Sequence, residues 1–361
     1  MLKRPSLDWR ALTMLGALIA IWVVFSVATD GTFLLPRNLS LLARQMAVTS
    51  ILAVGMVLVI VAGQIDLSVG ALAGLTGALA ALAYAKLGWP LALALLLALA
   101  VGAALGALEG SLVAWLRIPP FIVTLGGMLV FQGVLLGVTG GVSTAPPRPF
   151  LLVGQAYLPP AVGWIVAAGI AAALAFGAAR VPGRRRLERL GLAALTLGAA
   201  ALMNAYAGVP VPVLVVLALA TVLAVVARHT PFGRHLYAIG GNREAAFYCG
   251  IAIEKHLVGV FTLMGLLSGA AGVVLTARVG AATPNAGQLM ELDAIAAAVI
   301  GGTSLLGGQG TIWGALLGAL VMASLDNGMS LLNTEAFWQP ILKGGILVAA
   351  VAVDMAGRRG R

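Results

Sequence analysis

The stretch RHTPFGRHLYAIGGNREAAFYCGIAIEKH, residues 228–256, is the longest polar segment in a chain that is otherwise almost continuously apolar. It holds all three histidines, the only cysteine and four of the 22 Lys and Arg residues. Apolar runs at 209–227 and 257–277 close on it from both sides. A polar segment bounded in this way reads as a loop held at a membrane surface, which makes the rest of the chain membrane-embedded. Basic and amphipathic residues in such a loop offer a place for another protein to dock.

Composition agrees with that reading. Of the 361 residues, 61% are hydrophobic and 9% charged, against roughly 25% charged in an ordinary soluble domain. Mean hydropathy is +1.05. So few charges cannot cover so much apolar surface in water, so the surrounding solvent is lipid. The 47 glycines fit helices that approach backbone to backbone. The formal charge of +10 does not point to nucleic acid, because the basic residues sit at the ends of apolar runs. One cysteine excludes an internal disulfide framework. The run 11–28, preceded by Lys3, Arg4 and Arg10, is longer than a signal-peptide core and reads as an uncleaved first span.

Apolar runs recur at 11–28, 45–62, 69–85, 91–116, 121–138, 161–179, 190–206, 209–227, 257–277, 290–306, 311–331 and 341–353. A full crossing needs about 20 helical residues, and several runs are shorter. Alternating sides from a cytoplasmic N-terminus places sixteen of the 22 basic residues inside, including Arg228, Arg234, Arg243 and Lys255. The six outside are Arg37, Arg44, Lys86, Arg148, Arg278 and Lys343. This bias obeys the positive-inside rule and puts both termini and the segment 228–256 in the cytoplasm.

Two pairs of runs meet through glycine-rich turns, Gly63-Gln64-Ile65-Asp66 and Gly307-Gly308-Gln309-Gly310. Each pair is either a re-entrant hairpin or a broken helix, and neither choice changes the sides of the remaining runs. The expected fold is therefore all-α, a polytopic membrane protein of 10–12 transmembrane or re-entrant helices in a single domain, residues 1–361. Ladders at Gly102, Gly106 and Gly110, at Gly310, Gly314 and Gly318, and at Gly265 and Gly269 read first as helix-packing contacts. The similarity of 69–74 to 312–318, each following a Gly-Gln turn, suggests a weak internal two-fold repeat.

Within the polar segment, Asn242 is placed to cap a short helix from Arg243, with Glu244 in its first turn and Gly250 at its end. That helix would present Ala246, Phe247 and Gly250 as a close-approach face for a partner. Upstream, 231–234 and Gly240-Gly241 are expected to be turns flanking an amphipathic 234–239. The bland alternative is a solvated loop that happens to contain Ala-Ala.

Glu244-Ala245-Ala246 followed by three residues and Gly250 resembles the coupling loop of the membrane subunits of ATP-binding-cassette (ABC) importers. The segment 63–70 resembles the Gly-Gly-Ile-Asp-Leu-Ser-Val-Gly signature of the ribose-, xylose- and galactoside-type sugar permeases, with Gln64 in place of the usual glycine. Segments 240–246, 298–304 and 307–311 are similar to other parts of that family, and 324–332 looks most like the xylose-type members. The resemblance runs from about residue 46 to 345. It implies an ABC permease fold and a homodimer carrying a monosaccharide, xylose first. It further implies an extracytoplasmic sugar-binding protein and an ABC ATPase docked at Arg234, Gly241, Asn242, Glu244, Ala245, Ala246 and Gly250. No phosphate-binding Gly-x-x-x-x-Gly-Lys-Ser/Thr is present, so a separate subunit must supply ATP hydrolysis. Residues 305–309 match an ABC ATPase signature by coincidence, having no such partner.

Ionisable residues in or at the ends of spans are functional candidates, since an isolated charge in lipid is costly. They are Asp66, Glu109, Glu291, Asp293, Asp326 and Lys343. Gln64, Asp66, Asp326 and Asn327 are the candidates for the translocation path. Asp66 reads equally as the N-cap of a helix from Leu67, and Asp326 and Asn327 as an interfacial helix end. Glu109, inside a glycine ladder, reads as a buried packing partner, protonated or paired. Glu291, Asp293 and Arg278 read as outer-surface groups that are hydrated or meet a binding protein. The histidines and Cys249 have no metal-ligand spacing, no nucleophile–base set stands out, and no cofactor is expected. Two rivals stand beside the ABC reading: an ion-gradient-driven carrier, and a polytopic membrane enzyme using Glu109 or Asp66.

Overall fold

The computed structural model describes residues 9–335 and 337–359; Lys3, Arg4 and Arg361 of the charge count lie outside them. The described residues form fifteen α-helices. The first five are α1 (Trp9–Ala28), α2 (Pro36–Val61), α3 (Val69–Ala85), α4 (Leu91–Ala114) and α5 (Pro120–Thr139). Then follow α6 (Arg148–Gln155), α7 (Pro160–Ala179), α8 (Arg184–Asn204), α9 (Val211–His229), α10 (Pro231–Gly241) and α11 (Arg243–Tyr248). The last four are α12 (Ile253–Val279), α13 (Met290–Ile300), α14 (Ile312–Leu331) and α15 (Trp338–Arg359).

All twelve apolar runs are helical, and the chain is an all-α polytopic membrane protein. Among the described residues seven helices, α2, α4, α5, α7, α9, α12 and α14, are long and apolar enough to cross a bilayer. Several start at a proline, as in α2, α5, α7 and α10, where the missing N–H costs nothing and φ is already helical. The apolar runs understate α2, which begins nine residues before 45 because Arg37, Asn38 and Arg44 interrupt its hydropathy but not its helix. They overstate α13, which stops at Ile300 where Gly301 and Gly302 begin the turns. The amphipathic α6 lies between the runs.

The core is built on α12, which packs against α2, α3, α4 and α6. Its contact with α4 explains the glycine ladders. Gly102 and Gly106 on α4 face Gly265, and Gly269 faces Ala98, so each carbonyl of one helix occupies the place of the other's missing Cβ. Gly272 and Gly77 bring α12 and α3 together in the same way. The ladders at 102–110 and 265–269 are thus two sides of one seam, and Gly314 and Gly318 pack on α13.

The two glycine-rich turns resolve differently. Helices α13 and α14 pack on each other as a hairpin, whereas α2 and α3 scarcely touch each other and both pack on α12 and α13, as parts of a broken helix. The order of a long helix, a non-helical stretch, a shorter helix and a long helix occurs twice, as α2-α3-α4 and as α12-α13-α14. By that order the counterpart of 62–68 is 280–289, not the 307–310 turn that its Gly-Gln dipeptide suggested. The second of these stretches packs on α3: Gly70 and Gly74 of α3 lie against the backbone of Gly287 and Ala286, just before α13.

Candidate functional site

The segment between α9 and α12 folds into two short helices. Thr230 starts α10, its hydroxyl accepting from the Gly233 N–H at 3.2 Å and donating to the Val226 carbonyl at 2.7 Å. Pro231 and Gly233 therefore sit inside a helix, correcting the expected turn at 231–234. Gly233, Leu236 and Ile239 are its buried face, one residue every turn. Arg234 is exposed, its guanidinium 3.4 Å from the His229 carbonyl. The Tyr237 hydroxyl donates to the Gly310 carbonyl at 2.8 Å.

Asn242 ends α10 and caps α11, its Oδ1 accepting from the Ala245 N–H at 2.9 Å. Glu244 lies in the first turn of α11, where its charge complements the helix dipole. Gly250, at φ +79°, turns the chain out of the helix while the Ile251 N–H caps the Ala246 carbonyl at 3.1 Å. The capped helix is the one read from the sequence, but its faces differ. Ala246 is buried against the protein, while Phe247 and Tyr248 stand 64% and 78% exposed. Glu244, Ala245, Cys249 and Gly250 share the open side, and Gly241 and Asn242 are exposed at the junction. Close approach through Ala246 therefore serves this chain itself, and the aromatic pair is what α11 turns outward.

Two of the three histidines, distant in sequence, are brought together here. His235 Nδ1 on α10 and His256 Nε2 on α12 lie 3.0 Å apart, with Phe232 stacked on the His256 ring. Among the described residues, no three His, Cys, Asp or Glu side chains gather into a metal-binding group.

A second polar cluster lies between α2 and α3. Gln64 is buried, its amide donating to the Ala62 carbonyl at 3.3 Å. Asp66 is also buried and accepts from the Ser68 N–H at 2.8 Å and the Ser68 hydroxyl at 2.7 Å, all through Oδ1. The helix begins at Val69 with Ser68 as its N-cap, so Asp66 organises the turn before the cap rather than capping a helix from Leu67. The Ser68 oxygen is also 2.9 Å from Oε2 of Glu109 on α4. One hydroxyl hydrogen cannot satisfy both carboxyl oxygens, so a second hydrogen must sit on a carboxyl oxygen of the cluster. Oε1 of Glu109 abuts Gly127 of α5 and has no hydrogen-bond partner among the described residues. Ser68→Ala should therefore cost about 2 kcal/mol by orphaning a buried carboxyl oxygen. Glu109→Gln, which keeps a donor toward Ser68, should cost well under half of that. Thermal unfolding in detergent measures both, and equal midpoints for the two variants would refute the shared-hydrogen arrangement.

At the opposite end of the bundle two acidic residues, Asp293 and Asp326, are paired. Asn38 and Asn327 exchange amide hydrogen bonds at 2.8 and 3.0 Å and clasp α2 to α14. Lys343 of α15 bridges Asp293 at 2.9 Å and Asp326 at 3.0 Å. Glu291 and Asp293 are buried and Arg278 is half-buried, against the expectation of hydrated outer-surface groups. Asp326 and Asn327 thus have protein partners and join helices, while Gln64 and Asp66 lie in the broken-helix turn. The Lys343 bridge, made across 50 residues, was missed by sequence reasoning. Its one visible trace was a lysine in an apolar run.

The family described as the permease component of branched-chain amino acid transport systems matches residues 38–351. The xylose transport system permease protein of Escherichia coli K12 is 47% identical over 98% of this chain and 94% of its own length. The corresponding Haemophilus influenzae protein is 44% identical over 99% of this chain and 100% of its own length. The ribose import permease of Bacillus subtilis is 37% identical over 94% of this chain and 92% of its own. No solved structure matches the chain. Spanning helices, a capped α9–α12 segment and this likeness over nearly the whole length converge: the chain belongs to the permease-component family of ABC importers and is a multi-pass inner-membrane subunit.

Proposed function

We propose that this chain is the membrane permease of an ATP-driven monosaccharide importer, with xylose as its sugar. The observation carrying the reading is α11, a capped helix that holds two aromatic side chains open to solvent on the face rich in basic residues. An ABC ATPase docks there, against Arg234, Gly241, Asn242, Glu244, Ala245 and Gly250 together with Phe247 and Tyr248. Ala246 seats the helix from behind. The chain carries no phosphate-binding loop of its own, so hydrolysis belongs to that ATPase. A sugar-binding protein delivers substrate to the opposite face of a homodimer. Gln64 and Asp66, in the non-helical turn between α2 and α3, are the candidates for the path, since such backbone at membrane depth survives only when buried or facing a cavity.

Xylose is favoured over other pentoses and hexoses by the order of likeness. The relatives named for xylose are 47% and 44% identical, those named for ribose and allose 37% and 33%. Proteoliposomes holding the permease, its ATPase and its binding protein should take up labelled xylose only with ATP inside the ATPase compartment. Unlabelled ribose or allose in excess should compete poorly. Uptake by the permease alone, driven by an ion gradient, would establish the secondary-carrier alternative instead.

A further inference from the structure

The C-terminal end of α10 meets two other parts of the chain backbone to backbone. The carbonyl of Val61, the last residue of α2, accepts the Gly308 N–H at 2.9 Å. Gly240 sits against that same carbonyl so closely that a Cβ there would collide with it. Gly307 and Gly308 also lie against the Gly240-Gly241 backbone with no room for a Cβ, and Tyr237 bonds the next part of the loop through Gly310. The 301–311 loop is braced internally, with the Ser304 N–H donating to the Gln309 carbonyl and the Gly307 N–H to the Ser304 carbonyl, both at 2.9 Å. Glycine contacts of this kind leave no flexible side chain between the backbones to absorb a displacement.

We propose that Tyr237 and Gly240 are positioning residues that fasten the coupling segment to two moving parts at once. One is the end of α2, which leads through Gly63 into the Gln64–Asp66 turn. The other is the α13–α14 hairpin. This rests on the docking of an ATPase at α11: a push on α11 is passed to α10 and then delivered jointly to both parts. Burial raises the Tyr237 phenol above its ordinary range, against the lowering pull of Arg228, so its hydroxyl remains a donor at neutral pH.

The test is the coupling ratio, sugar moved per ATP hydrolysed, in proteoliposomes of the full complex. Tyr237→Phe should lower the ratio by roughly two- to tenfold, the worth of one hydrogen bond, with the ATPase co-purifying at the wild-type ratio. Gly240→Ala should lower it further, and Tyr206→Phe, a tyrosine outside this junction, should leave it unchanged. A purely structural role for Tyr237 would reduce the yield of complex but not sugar moved per ATP. An unchanged ratio in Tyr237→Phe overturns the proposal, as does loss of the ATPase from that variant, since the contact would then belong to the docking surface. Docking is read separately from the ATPase retained on Glu244→Lys. A lowered ratio in Tyr237→Phe with full ATPase retention on both variants would support the fastening and refute the docking site.

Discussion

Gly265→Leu is expected to produce a chain that enters the membrane but whose bundle is severely destabilised. Gly265 lies where α12 crosses α4, and even a Cβ at that position would strike the Gly102 carbonyl and crowd Gly106. The obstruction is backbone on the facing helix, so no rotamer change relieves it, and the helices must separate along the seam. Forcing extra atoms into a packed core costs about 1–3 kcal/mol where neighbours can shift, and more where they cannot, so at least about 3 kcal/mol is expected here. Association between membrane helices depends on such packing, because lipid is as apolar as the side chains themselves. Gly191→Leu is the contrast, a glycine of α8 with no atom near its missing Cβ, and should cost less than about 0.5 kcal/mol. Thermal unfolding of purified protein, followed by tryptophan fluorescence, distinguishes them. A Gly265→Leu chain melting with the wild type would mean that the α4–α12 seam is not what holds the bundle together.

The same seam shows what the sequence could disclose and what it could not. Helix period and hydropathy locate every apolar element, because a lipid-facing helix must be apolar whatever its neighbours. The ladders at Gly102 and Gly265 mark two close-approach faces, yet nothing in their spacing says that each is the other's partner. Boundaries fail where a polar residue is buried by pairing. Asn38 and Arg44 interrupt the apolar run but not α2, since Asn38 spends its amide on Asn327 of α14. Glu291 and Asp293 fail for a related reason, as charge suggests water and the structure instead buries them, with Lys343 beside Asp293.

The segment between α9 and α12 was the more legible half of the candidate site. Its cap is local, so Asn242, Glu244 and Gly250 declare α11 within nine residues. Which way α11 faces is set by its packing on α10, and the sequence carries no sign that Ala246 turns inward. The junction of Gly240 with Val61 and Gly308 was invisible for the same reason, being a meeting of three segments far apart along the chain.

Replacing Phe247 and Tyr248 together with alanine is expected to detach the ATPase while leaving the permease folded. The two rings lie 5.9 Å apart in an edge-on arrangement and are the large apolar side chains that α11 exposes. Neither supports the fold, so truncation should change stability by less than about 0.5 kcal/mol. Exposed aromatics on a well-capped helix are the kind of anchor that dominates binding once a partner covers them, typically at 2 kcal/mol or more each. Being neighbours, they will not add independently. A combined loss of about 3 kcal/mol, near a hundredfold in affinity, is the reasonable expectation. Titrating the purified ATPase against detergent-solubilised permease gives the number directly. Affinity within a factor of two of the wild type would place the ATPase elsewhere on this face. The opposite substitution sharpens the assignment: Ala246→Trp should lower the unfolding midpoint, because Ala246 is 4% exposed and packs inward. If binding followed Phe247 and Tyr248 while stability followed Ala246, the two faces of one six-residue helix would be separated by experiment, the outer for the partner and the inner for the fold.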